Sequence, residues 1–181
     1  MIVALDLSFS STGWCIGDAE GDPVFGSLSF SDKAEENRRY AVYLKWLSAR
    51  LKEHQPEIVG YEAAFQGKNP KTTAVLFGLA AITEAVAEIR GAKTVPVSIG
   101  DWRKNIWGRG AVNGYYDPVR GKQISRRDAL KEASVRFSQG LGWNVANDDE
   151  ADACGVWLYT HLHRGNQRGA RRILERSKKV F

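Results

Sequence analysis

The sequence is poor in the residues that build disulfide frameworks and zinc sites, with two cysteines and three histidines among 181 residues. Cys15 and Cys154 stand alone in apolar segments, and no histidine lies at zinc-ligand spacing from either of them. This pattern excludes a small disulfide-rich secreted protein and favours buried free thiols in a reducing cytoplasm. The sequence also shows no signal-peptide pattern and no run of about 20 apolar residues, so we expect a cytoplasmic protein with no membrane partner.

The composition is that of a single soluble globular domain with a basic excess. Hydrophobic residues make up 43% and charged residues 26% of the 181 positions, which is enough for a proper core. The formal net charge is +5 and the pI is about 9.3. A basic excess suggests a polyanionic partner, although many basic proteins bind no nucleic acid.

Four carboxylates stand where stability alone would not place them. Asp6 ends the apolar run 2–5 and Glu62 ends the run 58–61, while Asp149 and Asp152 share one face at the start of a predicted helix. Two strand ends and one helix face can bring all four together, where they repel one another unless cations neutralise them. Such hard oxygen ligands suit Mg²⁺ or Mn²⁺, and two ions roughly 4 Å apart are a general device for breaking phosphodiester bonds.

Each carboxylate also has an ordinary structural interpretation. An Asp after a strand is often a turn residue or a helix cap, and Asn147 with Glu150 matches a capping box in which Asp148 and Asp149 suit the helix dipole. Glu62 is harder to explain because Glu is a poor turn former, and Asp152 lies beyond the first helical turn among small apolar residues. The joint pattern therefore favours a metal site.

Hydrophobic periodicity and turn residues predict an α/β fold. The predicted order is three strands joined by short links, a helix that opens on an Asp32–Glu35 capping box, a strand, a long helix, a strand, and further helices. This order predicts a mixed five-stranded sheet, its first three strands antiparallel, flanked by helices. Predicted strands cover 2–7, 12–17, 24–30, 57–61 and 94–97, and predicted helices cover 71–90, 101–107 and 148–163, besides one that follows Ser125.

One long segment, Gly108–Ile124, is predicted to be irregular, and the end of the chain is basic. A loop of this length in a compact domain is usually functional or disordered, and it holds Tyr115 and Tyr116, which are candidates for base stacking. We therefore predict a domain over residues 1–163 and a basic C-terminal tail over residues 164–181.

Three motifs occur in a fixed order along the chain. They are Ala4-Leu5-Asp6 followed by Ser11-Thr12-Gly13, then Tyr61-Glu62-Ala63-Ala64-Phe65 followed by Lys68-Asn69, then Asp149-Glu150-Ala151-Asp152-Ala153. In this order and spacing the sequence resembles the RuvC-type Holliday junction resolvases of the ribonuclease H-like superfamily. The resemblance implies a ribonuclease H-like fold, a homodimer, Mg²⁺ or Mn²⁺, and paired nicks across a four-way DNA junction in a bacterial or phage-infected cell. Leu7-Ser8 stands where the family usually has Pro-Gly, which resembles divergent, phage-like members.

The resemblance also implies roles for individual residues. By position, Asp6, Glu62, Asp149 and Asp152 resemble the family's catalytic, metal-binding carboxylates, with two ions implied per site. Phe65 resembles an aromatic residue that stacks on bases near the crossover. The basic residues that the resemblance places against DNA are Lys68, Lys104, Lys122, Arg126 and Arg127.

Three other functions remain open from the sequence. A ribonuclease that cuts RNA in RNA/DNA hybrids would share the fold, and the sequence has no decisive marker for readout of a 2′-hydroxyl. A non-catalytic protein that binds branched DNA would not need the four carboxylates. An actin-like ATP-binding kinase would share Asp6 and Thr12-Gly13, but it needs two such domains and a second phosphate loop, which this chain lacks. The leading interpretation is a structure-selective DNA endonuclease.

Overall fold

A mixed five-stranded sheet forms the centre of the fold in the computed structural model, which describes residues 1–31, 35–108 and 112–177. The strands are β1 (Ile2–Leu7), β2 (Ser11–Gly17), β3 (Val24–Ser29), β4 (Ile58–Glu62) and β5 (Lys93–Val97), and they lie in the order β3–β2–β1–β4–β5. The first three strands form an antiparallel meander, and β4 pairs parallel with both β1 and β5. This arrangement confirms the predicted α/β fold and mixed sheet.

Strand β1 is the centre of the sheet, and all six of its residues are buried. It pairs with β4 in a register that sets Leu5 opposite Tyr61. Parallel neighbours end at the same edge of a sheet, so the next residues of the two strands, Asp6 and Glu62, reach that edge side by side. The sheet topology therefore brings together two of the predicted site residues.

Helices cover both faces of the sheet. They are α1 (Glu36–His54), α2 (Pro70–Ile89), α3 (Ile99–Trp107), α4 (Arg126–Gly140), α5 (Asp148–Arg164) and α6 (Gln167–Ser177). On one face, Tyr43 of α1 and Leu79 of α2 share a core cluster with Leu5 of β1. On the other face α5 lies across β1 and β2, and its Gly155 leaves room for the indole of Trp102, whose ring would lie 2.3 Å from a side-chain atom there. Asp32 of the predicted capping box lies outside the described residues.

Helix α2 is long and apolar enough to span a membrane by length and composition, and it is the one such helix in the part of the chain that the structure describes. It contains Lys71, Glu84 and Glu88, so it is not the uninterrupted apolar run that the sequence analysis found absent. These criteria are weak because core helices also meet them. The helix buries Val75, Leu79 and Val86, while Phe77 on its outer side is 51% exposed. The apolar residues of α2 therefore lie on two sides of the helix: one side packs in the core, and the other exposes Phe77.

The segment predicted to be irregular contains a β-hairpin. Strands β6 (Tyr115–Asp117) and β7 (Lys122–Ile124) pair antiparallel. The turn between them starts at Asp117-Pro118 and ends at Gly121, whose φ of +61° lies in the left-handed region that glycine tolerates. The prediction was wrong here because strands of three residues are too short to show a period of two, although the turn residues were a usable signal.

The predicted basic tail contains a packed helix. Helix α6 places Ile173 in the same core cluster as α5. Two of its arginines form ion pairs with the turn between β2 and β3: Arg172 Nη2 lies 3.1 Å from Glu20 Oε2, and Arg176 Nη1 lies 2.7 Å from Asp22 Oδ1. Residues up to 177 therefore contribute to the body of the protein, and part of their positive charge is neutralised there.

Replacing the buried His161 with Gln is expected to remove a pH-dependent part of the folding stability. His161 is 2% exposed, its Nδ1 accepts a hydrogen bond from the N–H of Asn166, and its Nε2 lies 3.2 Å from the carbonyl oxygen of Gly17. Burial lowers the pKa of this imidazole to about 4, even though the Gly17 carbonyl acts in the opposite direction. Below pH of about 6.5 this imidazole is protonated in the unfolded chain, whereas in the folded chain it stays neutral down to pH of about 4. About 2 kcal/mol of the free energy of unfolding is therefore lost between pH 7 and pH 5.

Urea unfolding of the wild type and of His161→Gln at pH 7 and pH 5 measures this loss. The wild type should lose about 2 kcal/mol more than the variant on acidification, because contributions from all other groups cancel in the comparison. His163→Gln, which changes an exposed histidine on the same helix, should behave like the wild type. An identical pH dependence in His161→Gln and the wild type would contradict the assignment.

Candidate active site

The start of α5 lies directly on strand β2, and this contact carries the second pair of carboxylates to the sheet edge. A side chain at position 13 would lie 1.9 Å from the carbonyl oxygen of Asp149, so only glycine fits there. This close approach explains the Thr12-Gly13 pair in structural terms. It places Asp149 and Asp152 beside the ends of β1 and β4, as the sequence predicted.

Asp6 is the centre of the resulting cluster. It is 7% exposed, and burial followed by the negative charges of Glu62, Asp152, Asp149 and Asp148 raises the pKa of its carboxyl well above the usual range. The cluster therefore contains the four predicted carboxylates and one more, Asp148. Sequence reasoning had assigned Asp148 no part in the site because its position at a helix start is explained by the helix dipole.

Glu62 is the carboxylate with an unused ligand atom. Its Oε2 is buried and has no hydrogen-bond partner among the described residues. Burial and the charge of Asp152 raise the pKa of Glu62 to about 7, while Arg103 and the indole N–H of Trp102 act in the opposite direction. That indole N–H lies near Glu62 without forming a hydrogen bond of normal geometry. Glu62 thus has the capacity to bind a further positive charge or donor.

Asp152 is held by neighbours on both of its oxygens. Arg103 Nη2 donates to Oδ2 at 2.9 Å, and the hydroxyl of Ser134 donates to Oδ1. Burial raises the pKa of Asp152 to about 6, against the lowering effects of Arg103 and Ser134. These contacts fix the carboxylate in the cluster, and a metal ion would have to replace at least one of them.

The capping box at the start of α5 is separate from this cluster. Asn147 Oδ1 accepts from the backbone N–H of Glu150 at 2.9 Å, and Glu150 Oε2 accepts from the N–H of Ala146 at 2.7 Å. Asp149 instead accepts a hydrogen bond from the hydroxyl of Ser11 on β2. Capping therefore accounts for Asn147 and Glu150, whereas Asp149 faces the sheet edge.

Arg103 is a residue of the site that the sequence analysis missed. Its guanidinium is buried, pairs with Asp152, and lies 5.2 Å from the ring centre of Trp102 and 5.4 Å from that of Trp107. Lys104, the residue predicted to approach DNA, is exposed and lies off this face. The signal was available, because Trp102, Arg103 and Ile106 fall on one helical face at spacings of three and four.

Lys131 supplies a second positive charge at the edge of the cluster. Its Nζ lies 2.5 Å from Asp148 Oδ2, and it precedes Ser134 by about one turn of α4. Helix α4 therefore contributes both a lysine and a hydroxyl to the carboxylates of α5.

The clustered carboxylates offer the oxygen ligands that a hard divalent cation prefers, but their side chains are not arranged around a single metal position. Among the described residues, no three Asp, Glu, His or Cys side chains surround a common point closely enough to hold a metal ion. However, the carboxylates are buried together, and their negative charges raise the pKa of Asp6. A divalent cation would stabilise their charged forms and would give the unpaired Oε2 of Glu62 a partner. The residues present therefore fit the predicted Mg²⁺ or Mn²⁺ by type.

The residues predicted to bind DNA are all exposed, and besides Lys104 on α3 they fall in two groups along the chain. Phe65 and Lys68 follow β4 in the connection to α2, and Phe65 is 58% exposed. At this exposure Phe65 is not a core residue. The second group, on the hairpin and at the start of α4, consists of Lys122, Arg126 and Arg127, all exposed.

The fold is similar to that of solved Holliday junction resolvases. Thermus thermophilus RuvC aligns with a TM-score of 0.63 and 14% identity over 86% of this chain and 89% of that one. T. thermophilus RuvC in complex with a Holliday junction substrate gives a TM-score of 0.62 and 11% identity over 86% and 88% of the two chains. The yeast mitochondrial Holliday junction resolvase Ydc2 aligns with a TM-score of 0.50 and 13% identity over 98% of this chain and 80% of that one. No protein-family model and no curated protein sequence matches the chain. The chain therefore has a RuvC-like, ribonuclease H-like fold.

Proposed function

We propose that this protein is a metal-dependent endonuclease that resolves Holliday junctions or other branched DNA by paired phosphodiester hydrolysis. The observation that carries the proposal is the buried cluster of carboxylates around Asp6, at the edge where β1 and β4 end. A protein that only binds DNA gains nothing from burying negative charges beside a polyanion. The RuvC-like fold and the junction-bound neighbour support branched DNA as the substrate.

Asp6, Glu62, Asp149 and Asp152 would hold Mg²⁺ or Mn²⁺, which when bound activates water and neutralises charge on the phosphate and leaving oxygen. The hydroxyls of Ser11 and Ser134 orient Asp149 and Asp152. Arg103 places a positive charge against Asp152 at the floor of the site, where it offsets the negative charge that a phosphodiester brings. The buried Trp102 and the partly buried Trp107 contact each other and pack against this guanidinium, which helps to hold it in place.

The surface around the site carries the contacts that we assign to DNA. Lys68, Lys104, Lys122, Arg126 and Arg127 are exposed and can contact phosphates, which position a nucleic acid without reading its sequence. Phe65, three residues before Lys68, is exposed and can stack on an unpaired base. Unpaired bases are accessible at a branch point and not in linear duplex, so this combination favours branched DNA.

A panel of labelled substrates tests the proposal. A four-way junction, a linear duplex, a flap and an RNA/DNA hybrid are each incubated with the protein in Mg²⁺, in Mn²⁺ and with chelator. The junction should be cut in metal and spared in chelator, and the duplex should be spared in both. Cleavage of the hybrid alone would identify a ribonuclease, and junction binding without any cleavage would identify a non-catalytic binding protein.

The symmetry of the proposed substrate supports a homodimer. Paired cuts in a four-way junction need two active sites related by a two-fold axis, which a dimer with C₂ symmetry supplies. We propose that the outer surface of α2 is the contact. Phe77 is exposed there beside a cavity of about 300 Å³. The cavity is lined by Tyr61, Ala63, Ala64, Phe77, Ala80, Ala81, Glu84 and Pro96.

The small residues at Gly78–Ala81 divide between the inner and the outer side of α2. Gly78 faces α1, because a side chain there would lie 2.4 Å from the ring of Tyr40, and Ala80 is buried. Ala81 is exposed and lies on the same side as Phe77. The small residues thus serve packing within the chain, and the surface left for a partner centres on Phe77 and Ala81.

Phe77→Glu is expected to convert a dimer into a monomer without unfolding the protein, because Phe77 is 51% exposed. Sedimentation at micromolar concentration measures the mass, and Ile89→Glu, at an exposed position at the far end of α2, is the matched control. The variant should nick junctions in one strand and no longer cut both strands together. A wild type that sediments only as a monomer and still makes paired cuts would contradict the dimer.

A further inference from the structure

The β6–β7 hairpin carries an apolar tip into solvent. Val119 in the turn is 94% exposed, and Tyr116 on the strand before it is 61% exposed. Single exposed apolar residues are common on protein surfaces, so exposure alone assigns no role. The hairpin differs from an ordinary surface loop in three ways: hydrogen bonds fix its turn, contacts to α4 hold it in place, and basic residues lie close to its tip along the chain.

The turn is held in one conformation from within. Asp117 Oδ1 accepts hydrogen bonds from the backbone N–H groups of Val119 at 2.9 Å and Arg120 at 3.1 Å. Pro118 fixes its own φ, and Gly121 supplies the left-handed residue that closes the hairpin. The tip is therefore preorganised, and little conformational entropy is lost if it enters a partner.

The hairpin is held on α4 both at its first strand and at its turn. The hydroxyl of Tyr115 donates to one oxygen of Glu132, and Arg120 Nη1 donates to the other at 2.6 Å. Glu132 lies between Lys131, which pairs with Asp148, and Ser134, which donates to Asp152. One short stretch of helix thus holds the hairpin on one side and carboxylates of the site on the other.

The charges near the tip favour a polyanion. Lys122, Arg126 and Arg127 are exposed and form no ion pair within residues 1–31, 35–108 and 112–177. The nearby acidic groups are already engaged, since Asp117 caps the turn and Glu132 accepts hydrogen bonds from Tyr115 and Arg120. Asp128 accepts from Ser125. The hairpin therefore combines a rigid apolar tip with free positive charge beside it.

We propose that this hairpin is a wedge that inserts Val119 between bases where the strands of a branched DNA diverge, with Tyr116 covering a displaced base. Proteins that kink or open DNA insert apolar side chains between base steps while basic residues hold the adjacent phosphates. The wedge rests on the proposed function for its DNA partner. It adds a strand-separating element that is held by the helix that also contacts Asp148 and Asp152.

The test measures base unstacking directly, in chelator so that no DNA is cut. A four-way junction carries 2-aminopurine at the branch point, and a linear duplex of the same sequence carries it at the matching position. The wild type should raise the fluorescence of the junction, because inserted Val119 separates the reporter base from its neighbour. Val119→Ser should lose most of this rise and bind the junction about fivefold more weakly, with unchanged binding to duplex.

Two control variants separate the wedge from general effects. Val119→Leu keeps an apolar tip and should keep the fluorescence rise. Val24→Ser alters a valine that is 66% exposed on edge strand β3, far along the chain from the hairpin, and should match the wild type. Wild-type fluorescence and affinity in Val119→Ser would overturn the wedge, as would equal losses on junction and duplex. A wild type that opens the junction in chelator but never cuts it in Mg²⁺ would overturn the proposed nuclease and leave the wedge standing.

Discussion

Asp6→Asn is expected to reduce junction cleavage by at least about 100-fold while junction binding is kept or strengthened. Asp6 is the most buried of the clustered carboxylates whose pKa is raised, and each of its neighbours in the site adds to that effect. Losing one ligand charge removes the cleavage chemistry, whereas the exposed basic residues that contact phosphate remain. Cleavage and binding are measured on the same labelled junction in Mg²⁺ and in chelator.

Two further measurements make the Asp6 result interpretable. In metal-free buffer the variant should be no less stable than the wild type, because a buried charge among like charges has been removed. Asp101→Asn, which changes an exposed carboxylate on α3, should leave cleavage unchanged. Wild-type cleavage by Asp6→Asn in Mg²⁺ would show that the cluster is not the active site.

Phe65→Ala is expected to weaken junction binding by about 1–3 kcal/mol, which is roughly 5-fold to 150-fold, and to reduce junction cleavage accordingly. Phe65 is 58% exposed and follows Glu62 by three positions, so it projects from the end of the strand that carries a site carboxylate. A base exposed at the crossover can stack on it, and the stacked bases of a linear duplex cannot. Duplex binding should therefore stay unchanged.

Phe65→Trp and Ile89→Ala are the matched controls for this prediction. Tryptophan keeps a stacking surface and should keep most of the junction affinity. Ile89 is 79% exposed at the end of α2, and its removal should alter neither affinity nor cleavage. Equal losses on junction and duplex, or a large fall in the melting temperature of Phe65→Ala, would contradict the stacking role.

The position of β1 in the sheet can be inferred from the sequence, because a strand that is apolar throughout is buried on both faces. The run ending at Asp6 is apolar at every position, which indicates a strand buried on both faces, and such a strand belongs in the middle of a sheet. Once that strand is central and the run ending at Glu62 lies parallel to it, the two carboxylates must meet. This inference from burial and strand direction needs no knowledge of the loops.

The predictions that were incomplete or wrong concern individual side chains and short strands, which hydrophobic periodicity does not reveal. Arg103 was missed because the family resemblance pointed to its neighbour Lys104, and only the helical face of Arg103 shows that it points inward. Asp148 was missed because the helix dipole explained it well enough. The hairpin at Tyr115–Ile124 was missed because three-residue strands show no period, so only tertiary contacts such as those to Glu132 stabilise it.

The most direct test of the account is the map of cleavage positions on a synthetic four-way junction with immobile arms. We expect Mg²⁺-dependent nicks in one opposing pair of strands, at positions related by the two-fold axis of the junction and close to the branch point. The same protein in chelator should leave all four strands intact. Nicks scattered along the arms, cuts in duplex at the same rate, or no cuts in either Mg²⁺ or Mn²⁺ would contradict the account.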